Sequence, residues 1–357
     1  MKSSQVNDST CGLLAPDGGL SYLDQFLGHN NGEVLPPLDV VFVSLDLEVS
    51  RSERKKSRNN TAYRPFVREL GIASLDTRDI FTDEKIPSEL GSQPLIRTRQ
   101  WSTFNASKDF EKCDVTDFRE CVFAETFQLG QDQVAPSFAS CVQIKDSRPA
   151  KPHDLRNIIL VGHSVKGDID IIERLGLDIQ ATAPITAVID THLLSRAILG
   201  SSARGFSLSA VLNELKCPFN PWELHNAGTY ATYTLYVMIM LAIRRTETLN
   251  IPSSISANAQ HLRAVARAEM SEGHSRWKPV SGVRNCDDFN GSASNGVSSV
   301  YNDRSNTKVE AISALNRTQH KELKEVEDCD QSETSDSDGG VSLFPDPAIA
   351  PTCKPLP

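Results

Sequence analysis

Two carboxylates, Asp46 and Glu48, stand two residues apart near the end of an apolar segment, 39–49. The odd-numbered positions from 41 to 49 are all apolar, which predicts a buried strand. Because side chains alternate between the faces of a strand, both carboxylates point the same way. Buried like charges are costly unless a cation compensates them. The pair therefore indicates a cation site, and Mg²⁺ prefers such oxygen ligands.

A third carboxylate, Asp168, falls in the first turn of a helix predicted over 166–175, directly after the strand 157–162 and the sequence His163-Ser164. The helical repeat puts Asp168 on the apolar, core-facing stripe, although an acid in a first turn can also serve as a cap. With Asp46, Glu48 and a histidine before a late helix, His225, it completes the parts of a two-metal phosphodiester site. His163 is interpreted as a structural hydrogen-bonding residue, and Asp190 with Thr191 as a brace of the sheet.

The surrounding periodicities predict an α/β fold with a mixed sheet flanked by helices. A hairpin partner is expected over 68–76, and further short strands near 94–101 and 122–127 continue an antiparallel meander. The second half alternates strands and helices, with strands over 157–162 and 185–191 and helices over 166–175, 207–215 and 229–245.

Composition divides the 357 residues into three parts. Residues 1–37 are predicted to be a flexible leader, 38–246 the folded domain, and 247–357 a disordered acidic, Ser-rich tail with a short helix near 261–270. The tail segment 325–338 surrounds Ser332, Thr334, Ser335 and Ser337 with acids. It is interpreted as a solvated acidic tail or as a target of acidophilic kinases.

The net charge does not decide whether the chain binds nucleic acid, because a value of -9 still allows a local basic groove. The basic segment 51–58 fits a phosphate contact, a nuclear-import patch or a merely exposed charged turn. Eight cysteines without CxxC pairs predict free thiols in a reducing compartment. The longest apolar run, 235–243, is too short for a bilayer span, so we expect a soluble intracellular protein without a membrane partner.

The order of the motifs DxE, GHS-x3-D, IDT, FSL and H-x4-(D)-A resembles the DEDDh exonucleases of the ribonuclease H-like superfamily. The segments ILVGHSVKGD, IDTHLLSRAILG, FSLSAVLNELKCPF and LHNAG are most similar to the fungal family named "good for full DEAD-box helicase activity". The resemblance covers residues 38–246 and implies a ribonuclease H-like fold.

The resemblance also implies roles for individual residues. Asp46, Glu48 and Asp168 would bind Mg²⁺ or Mn²⁺, and His225 would be the general base of 3'-to-5' hydrolysis. The family's HNAG-x-DA requires an aspartate where this chain has Tyr230 in HNAGTYA. The tyrosine variant of this class, Tyr-x3-Asp, does not fit either, because Thr234 follows at that spacing. This departure predicts impaired catalysis.

Three functions follow from the resemblance and its departure. The first is binding of single-stranded nucleic acid, RNA in particular, by a pseudoenzyme with impaired or absent hydrolysis. The second is an active Mg²⁺-dependent 3'-to-5' exonuclease. The third is a non-catalytic scaffold for an RNA helicase or a silencing partner in mRNA export or RNA silencing. A nuclear or cytoplasmic location is expected for all three.

Overall fold

A computed structural model describes residues 13–15, 17–30, 33–49, 51–60, 62–80, 94–103, 120–148, 154–200, 206–249 and 251–276. The acidic segment 325–338 and most of the predicted tail lie outside these ranges. Cys121, Cys141 and Cys217, the cysteines within them, are free thiols.

Eight strands and ten α-helices occupy the described residues. The strands are β1 (His29–Asn30), β2 (Glu33–Val34), β3 (Val41–Val49), β4 (Val67–Asp76), β5 (Arg97–Ser102), β6 (Thr126–Gln128), β7 (Ile158–Gly162) and β8 (Ile185–Asp190). The helices are α1 (Leu20–Phe26), α2 (Arg51–Asn59), α3 (Thr77–Ile80), α4 (Val134–Val142), α5 (Lys166–Arg174), α6 (Ile179–Thr182), α7 (Thr191–Leu199), α8 (Leu208–Glu214), α9 (Ala227–Thr246) and α10 (Ser253–Arg276).

Six of the strands form one mixed sheet in the order β6-β5-β4-β3-β7-β8, and β1 and β2 pair separately. The pairs β3–β4 and β4–β5 are antiparallel, whereas β3–β7 and β7–β8 are parallel. This sheet, flanked by helices, confirms the predicted α/β, ribonuclease H-like fold class. The predicted meander is wrong at β6, which runs parallel to β5. A parallel neighbour needs a crossover, and the long connection from Ser102 to Thr126 supplies one.

The alternation along β3 separates the two faces of the sheet as predicted. Its odd positions join a core with α4 and α5, and Phe42 on the other face joins the core that contains α1, α9 and α10. Asp46 and Glu48 continue the Phe42 face, so they face the side on which α9 packs. The apolar stripe of α5 is also confirmed, with Ile171 and Ile172 buried beside Asp168.

The ordered structure extends beyond the predicted domain at both ends. In the predicted leader, Leu23 and Phe26 of α1 are buried, and Leu14 bridges to Val188 of β8. In the predicted tail, α10 runs over 24 residues rather than a short helix near 261–270. Its six buried residues include two alanines and one glycine, which give a weak hydrophobic signal. Glu269 of α10 also accepts hydrogen bonds from the Leu95 backbone and the Tyr236 hydroxyl, at 2.7 and 2.8 Å.

The basic segment predicted as a turn is the helix α2. Lysine, arginine and glutamate are good helix formers, and a reading from charge alone overlooks this propensity. None of the helices in the described ranges combines the length and apolarity that a bilayer span requires.

Candidate active site

The three predicted carboxylates lie at the carboxyl ends of neighbouring parallel strands. Asp46 and Glu48 lie near the end of β3, and Asp168 lies in the first turn of α5, which follows β7. Because β3 and β7 are parallel neighbours, their carboxyl ends share one edge of the sheet. Ligand sites of open α/β sheets commonly form at this edge.

Burial and mutual repulsion act on these acids together. Burial, followed by the charges of Asp168 and Glu48, raises the pKa of Asp46 well above its usual range. Burial also raises the pKa of Asp168 to about 7, against the opposing charge of Arg54. Within the described part of the chain, Asp46 Oδ2 is buried and has no hydrogen-bond partner. The site therefore gathers three acids in a poorly solvated place, where Asp46 and Asp168 hold their protons more tightly than ordinary carboxyl groups do.

Tyr230, one turn into α9, lies against the same acids. Burial raises the pKa of its hydroxyl far above the usual value, and the charges of Asp46, Asp168 and Glu48 raise it further. Its ring centroid is 6.4 Å from that of His163. Tyr230 thus brings a neutral phenol to the acidic site at every physiological pH.

Two arginines bring positive charge to this edge. The Arg54 guanidinium of α2 donates to the Leu47 and Val49 carbonyls, at 3.1 and 3.4 Å, on either side of Glu48. Its charge opposes the rise in the pKa values of Asp46 and Asp168. Arg68 Nη2 of β4 lies 3.7 Å from Glu48 Oε2. Guanidinium groups thus offset part of the charge that a metal would otherwise neutralise.

These residues do not fit a centre for two divalent ions. Such a centre needs anionic oxygen ligands around both ions, whereas this site combines three carboxylates with a phenol and a guanidinium. No group of three or more His, Cys, Asp or Glu side chains in the described ranges is close enough to hold an ion.

The two histidines singled out from the sequence lie in different environments. His163 is mostly buried, with its ring nitrogens 3.0 Å from Thr191 Oγ1 and 2.8 Å from the Phe206 carbonyl oxygen, and burial lowers its pKa to about 4. It is structural, as expected. His225 is exposed at the end of the 3-10 turn Pro221–His225, where its ring centroid is 6.5 Å from that of Trp222.

Asp190 holds the loop after β7 in place through hydrogen bonds to backbone amides. Its Oδ1 accepts hydrogen bonds from the Ser164 and His192 backbone amides, both at 2.9 Å. Thr191 donates to the Gly162 carbonyl at 3.1 Å. The two residues tie β8 to β7 just before α5, as the sequence predicted, and so fix the position of Asp168.

A buried glutamate that sequence reasoning missed fixes the start of α9. Glu69 Oε2 accepts hydrogen bonds from Gln100 Nε2, Asn226 Nδ2 and the Ala227 amide, at 3.0, 3.1 and 3.1 Å. Gln100 Oε1 in turn accepts from the Gly228 amide at 2.5 Å. This Glu69–Gln100 clamp holds the helix that carries Tyr230. The signal in the sequence was a lone acid in an apolar strand, in register with Glu48.

Replacing Glu69 with glutamine should flatten the pH dependence of stability. Burial raises the pKa of Glu69 to about 7, whereas an unfolded glutamate ionises near its ordinary value of 4.5. Between these two values the folded chain binds more protons than the unfolded chain, so the free energy of unfolding falls as pH rises. The contribution of Glu69 is about 1–3 kcal/mol between pH 5 and pH 8.

Denaturant unfolding at pH 5 and pH 8 measures this slope. Glu247→Gln is the matched control, because ion pairs with Arg244 and Arg263 lower the pKa of Glu247, and its titration lies below this interval. Equal slopes for the wild type and Glu69→Gln would show that the clamp carries no such charge.

Comparison with known proteins agrees with this geometry. The model of the family DEDDh_C, described as "DNA polymerase III subunit epsilon-like, C-terminal domain", matches residues 41–241. The uncharacterized protein YDR514C of Saccharomyces cerevisiae is 28% identical over 192 residues, which are 49% of this chain and 37% of the yeast protein. The chain thus spans well under half of that relative. The family match covers more than half of the chain and all of β3 through most of α9, so the chain belongs to the DEDDh exonuclease-like family.

Proposed function

We propose that this chain binds single-stranded nucleic acid, RNA in particular, in its exonuclease-type cleft and hydrolyses it poorly or not at all. The observation that carries the proposal is Tyr230, which stands where the family resemblance places an aspartate and lies partly buried beside Asp46 and Asp168. A neutral phenol is a poor ligand for Mg²⁺ or Mn²⁺. The metal would then be held weakly or not at all.

The other site residues remain suited to contact with a nucleic-acid strand. His225 is exposed, and an imidazole titrates near neutral pH, so it has the chemistry of the family's general base. Without a complete ligand set the base alone gives little rate. Trp222, 42% exposed and close to His225, offers an aromatic face for base stacking.

Binding to a labelled single-stranded RNA, measured by fluorescence anisotropy, tests the proposal. We expect the RNA to bind and to stay intact, and Trp222→Ala to weaken binding about tenfold, since a stacked base contributes ~1–3 kcal/mol. Phe127→Ala is the matched control, because Phe127 is 58% exposed on the distant edge strand β6. Single-stranded DNA and duplex RNA in parallel define the preferred ligand.

Two other outcomes would replace the proposal. Metal-dependent trimming by the wild type, lost in Asp46→Ala, would show an active 3'-to-5' exonuclease with three sufficient carboxylates. No binding of any nucleic acid would favour a non-catalytic scaffold for a protein partner, such as an RNA helicase or a silencing factor, in the nucleus or cytoplasm.

A further inference from the structure

The helix α2 is basic, although the chain as a whole is acidic. Its nine residues, RSERKKSRN, contain five Lys or Arg residues and one glutamate, whereas the whole chain carries a net charge of -9. It follows β3 immediately, so it lies beside Asp46 and Glu48. The exposed side chains include Lys55 and Lys56.

The rest of the fold holds this helix in a defined position. Glu53 accepts hydrogen bonds from the Tyr63 hydroxyl and the Phe66 amide, at 2.6 and 2.9 Å, which tie α2 to the following loop. On its other side, Arg54 donates to the Leu47 and Val49 carbonyls of β3. Because α2 is anchored at both places, its positive charge has a fixed location next to the acids.

The positive charge of α2 can offset the repulsion between the acidic site and a phosphodiester. A phosphodiester that approaches Asp46, Glu48 and Asp168 is repelled, and a two-ion centre normally supplies the compensating charge. Arg54 already places one positive charge at this site, since its guanidinium donates to the Leu47 and Val49 carbonyls on either side of Glu48. Lys55 and Lys56, whose side chains are exposed, add positive charge at the protein surface.

We propose that α2 binds the phosphate backbone of a single strand and that this binding needs no divalent cation. The inference rests on the proposed function and deepens it, because it assigns the phosphate contacts to one helix and removes the metal from binding. A protein partner with an acidic surface is the competing occupant. The length of α2, about 13 Å at 1.5 Å per residue, spans only a few nucleotides, so we expect a small number of phosphate contacts.

The test uses the full chain and a labelled single-stranded RNA, titrated in EDTA and in Mg²⁺ at several salt concentrations. We expect equal affinity in the two buffers. Lys55→Gln/Lys56→Gln should weaken binding about tenfold and reduce the salt slope by about 1.4, which is ~0.7 for each lost contact. Glutamine at 56 keeps a donor for Glu53, and Lys55→Gln alone should give about half of the slope change.

Arg244→Gln/Arg276→Gln is the matched control, since it removes the same charge from exposed arginines of α9 and α10. It should change the affinity and slope far less than the α2 variant. Unfolding curves of all variants verify that they are folded.

The outcomes separate this inference from the proposed function. RNA binding that requires Mg²⁺, or that weakens equally in the α2 variant and the control, would overturn the role of α2 and leave nucleic-acid binding in place. If the wild type and all variants are folded but none binds any nucleic acid, both proposals would be overturned. That result would favour an acidic protein partner for α2.

Discussion

Replacing Tyr230 with aspartate is expected to give the chain Mg²⁺-dependent trimming of single-stranded RNA from the 3' end. The side chain at position 230 lies against Asp46 and Asp168, so an aspartate there adds an anionic oxygen ligand where the wild type has a neutral phenol. Loss of groups that merely support a metal site typically costs ~10–100-fold in affinity or activity. We therefore expect the rate to rise by at least about this factor.

End-labelled RNA, sampled over time and separated by length, measures the gain. Tyr230→Phe is the matched control, because it keeps the ring and adds no ligand, and it should remain as inactive as the wild type. Asp46→Ala in the Tyr230→Asp background should abolish the acquired activity. Trimming that persists without Asp46 would place the activity elsewhere and contradict the assignment of the site.

Replacing Gly71 with alanine is expected to destabilise the domain by more than about 4 kcal/mol. Gly71 is paired with Asp46 across β3 and β4, and the first turn of α9 lies directly on it. An added Cβ would be 2.0 Å from the Ala227 carbonyl carbon and 2.3 Å from the Gly228 nitrogen. These are backbone atoms, so the helix start would have to move, which places the change among the most costly single substitutions.

Chemical denaturation of Gly71→Ala measures this loss. Gly167→Ala is the matched control, since it lies in α5 and an added Cβ there meets, among the described residues, no heavy atom within 4 Å beyond its chain neighbours and its own helix backbone. That substitution should be neutral or stabilise by up to ~1 kcal/mol. A Gly71→Ala loss below about 1 kcal/mol would show that α9 can shift on the sheet, and that Tyr230 is not fixed against the acids.

Periodicity was sufficient to predict the elements that carry the acids. The alternation in β3 and the apolar stripe of α5 depend on local burial, which leaves a clear mark in the sequence. The two ends of the domain were predicted less well. Leu23 and Phe26 offer only one helical turn of apolar contacts, and in α10 three of the six buried residues are the small Ala259, Ala266 and Gly273.

The residues around the acids depended on tertiary pairing and were harder to foresee. Glu69 gains its partners only when β4 pairs with β5 and α9 docks on both, and none of these contacts is local in sequence. Arg54 is one of several basic residues in α2, and only the fold shows that its guanidinium reaches the β3 carbonyls. The acids could be singled out from their types and spacing alone, and their role as cation ligands stays a prediction.

The central claim is that the acidic site lacks a complete set of metal ligands. Calorimetric titration of Mn²⁺ into the unmodified chain tests this claim most directly. The neutral Tyr230 beside Asp46 and Asp168 predicts no saturable binding, whereas Tyr230→Asp should bind the ion measurably under the same conditions. Stoichiometric Mn²⁺ binding by the wild type, lost in Asp46→Ala, would show that three carboxylates suffice and would contradict the claim.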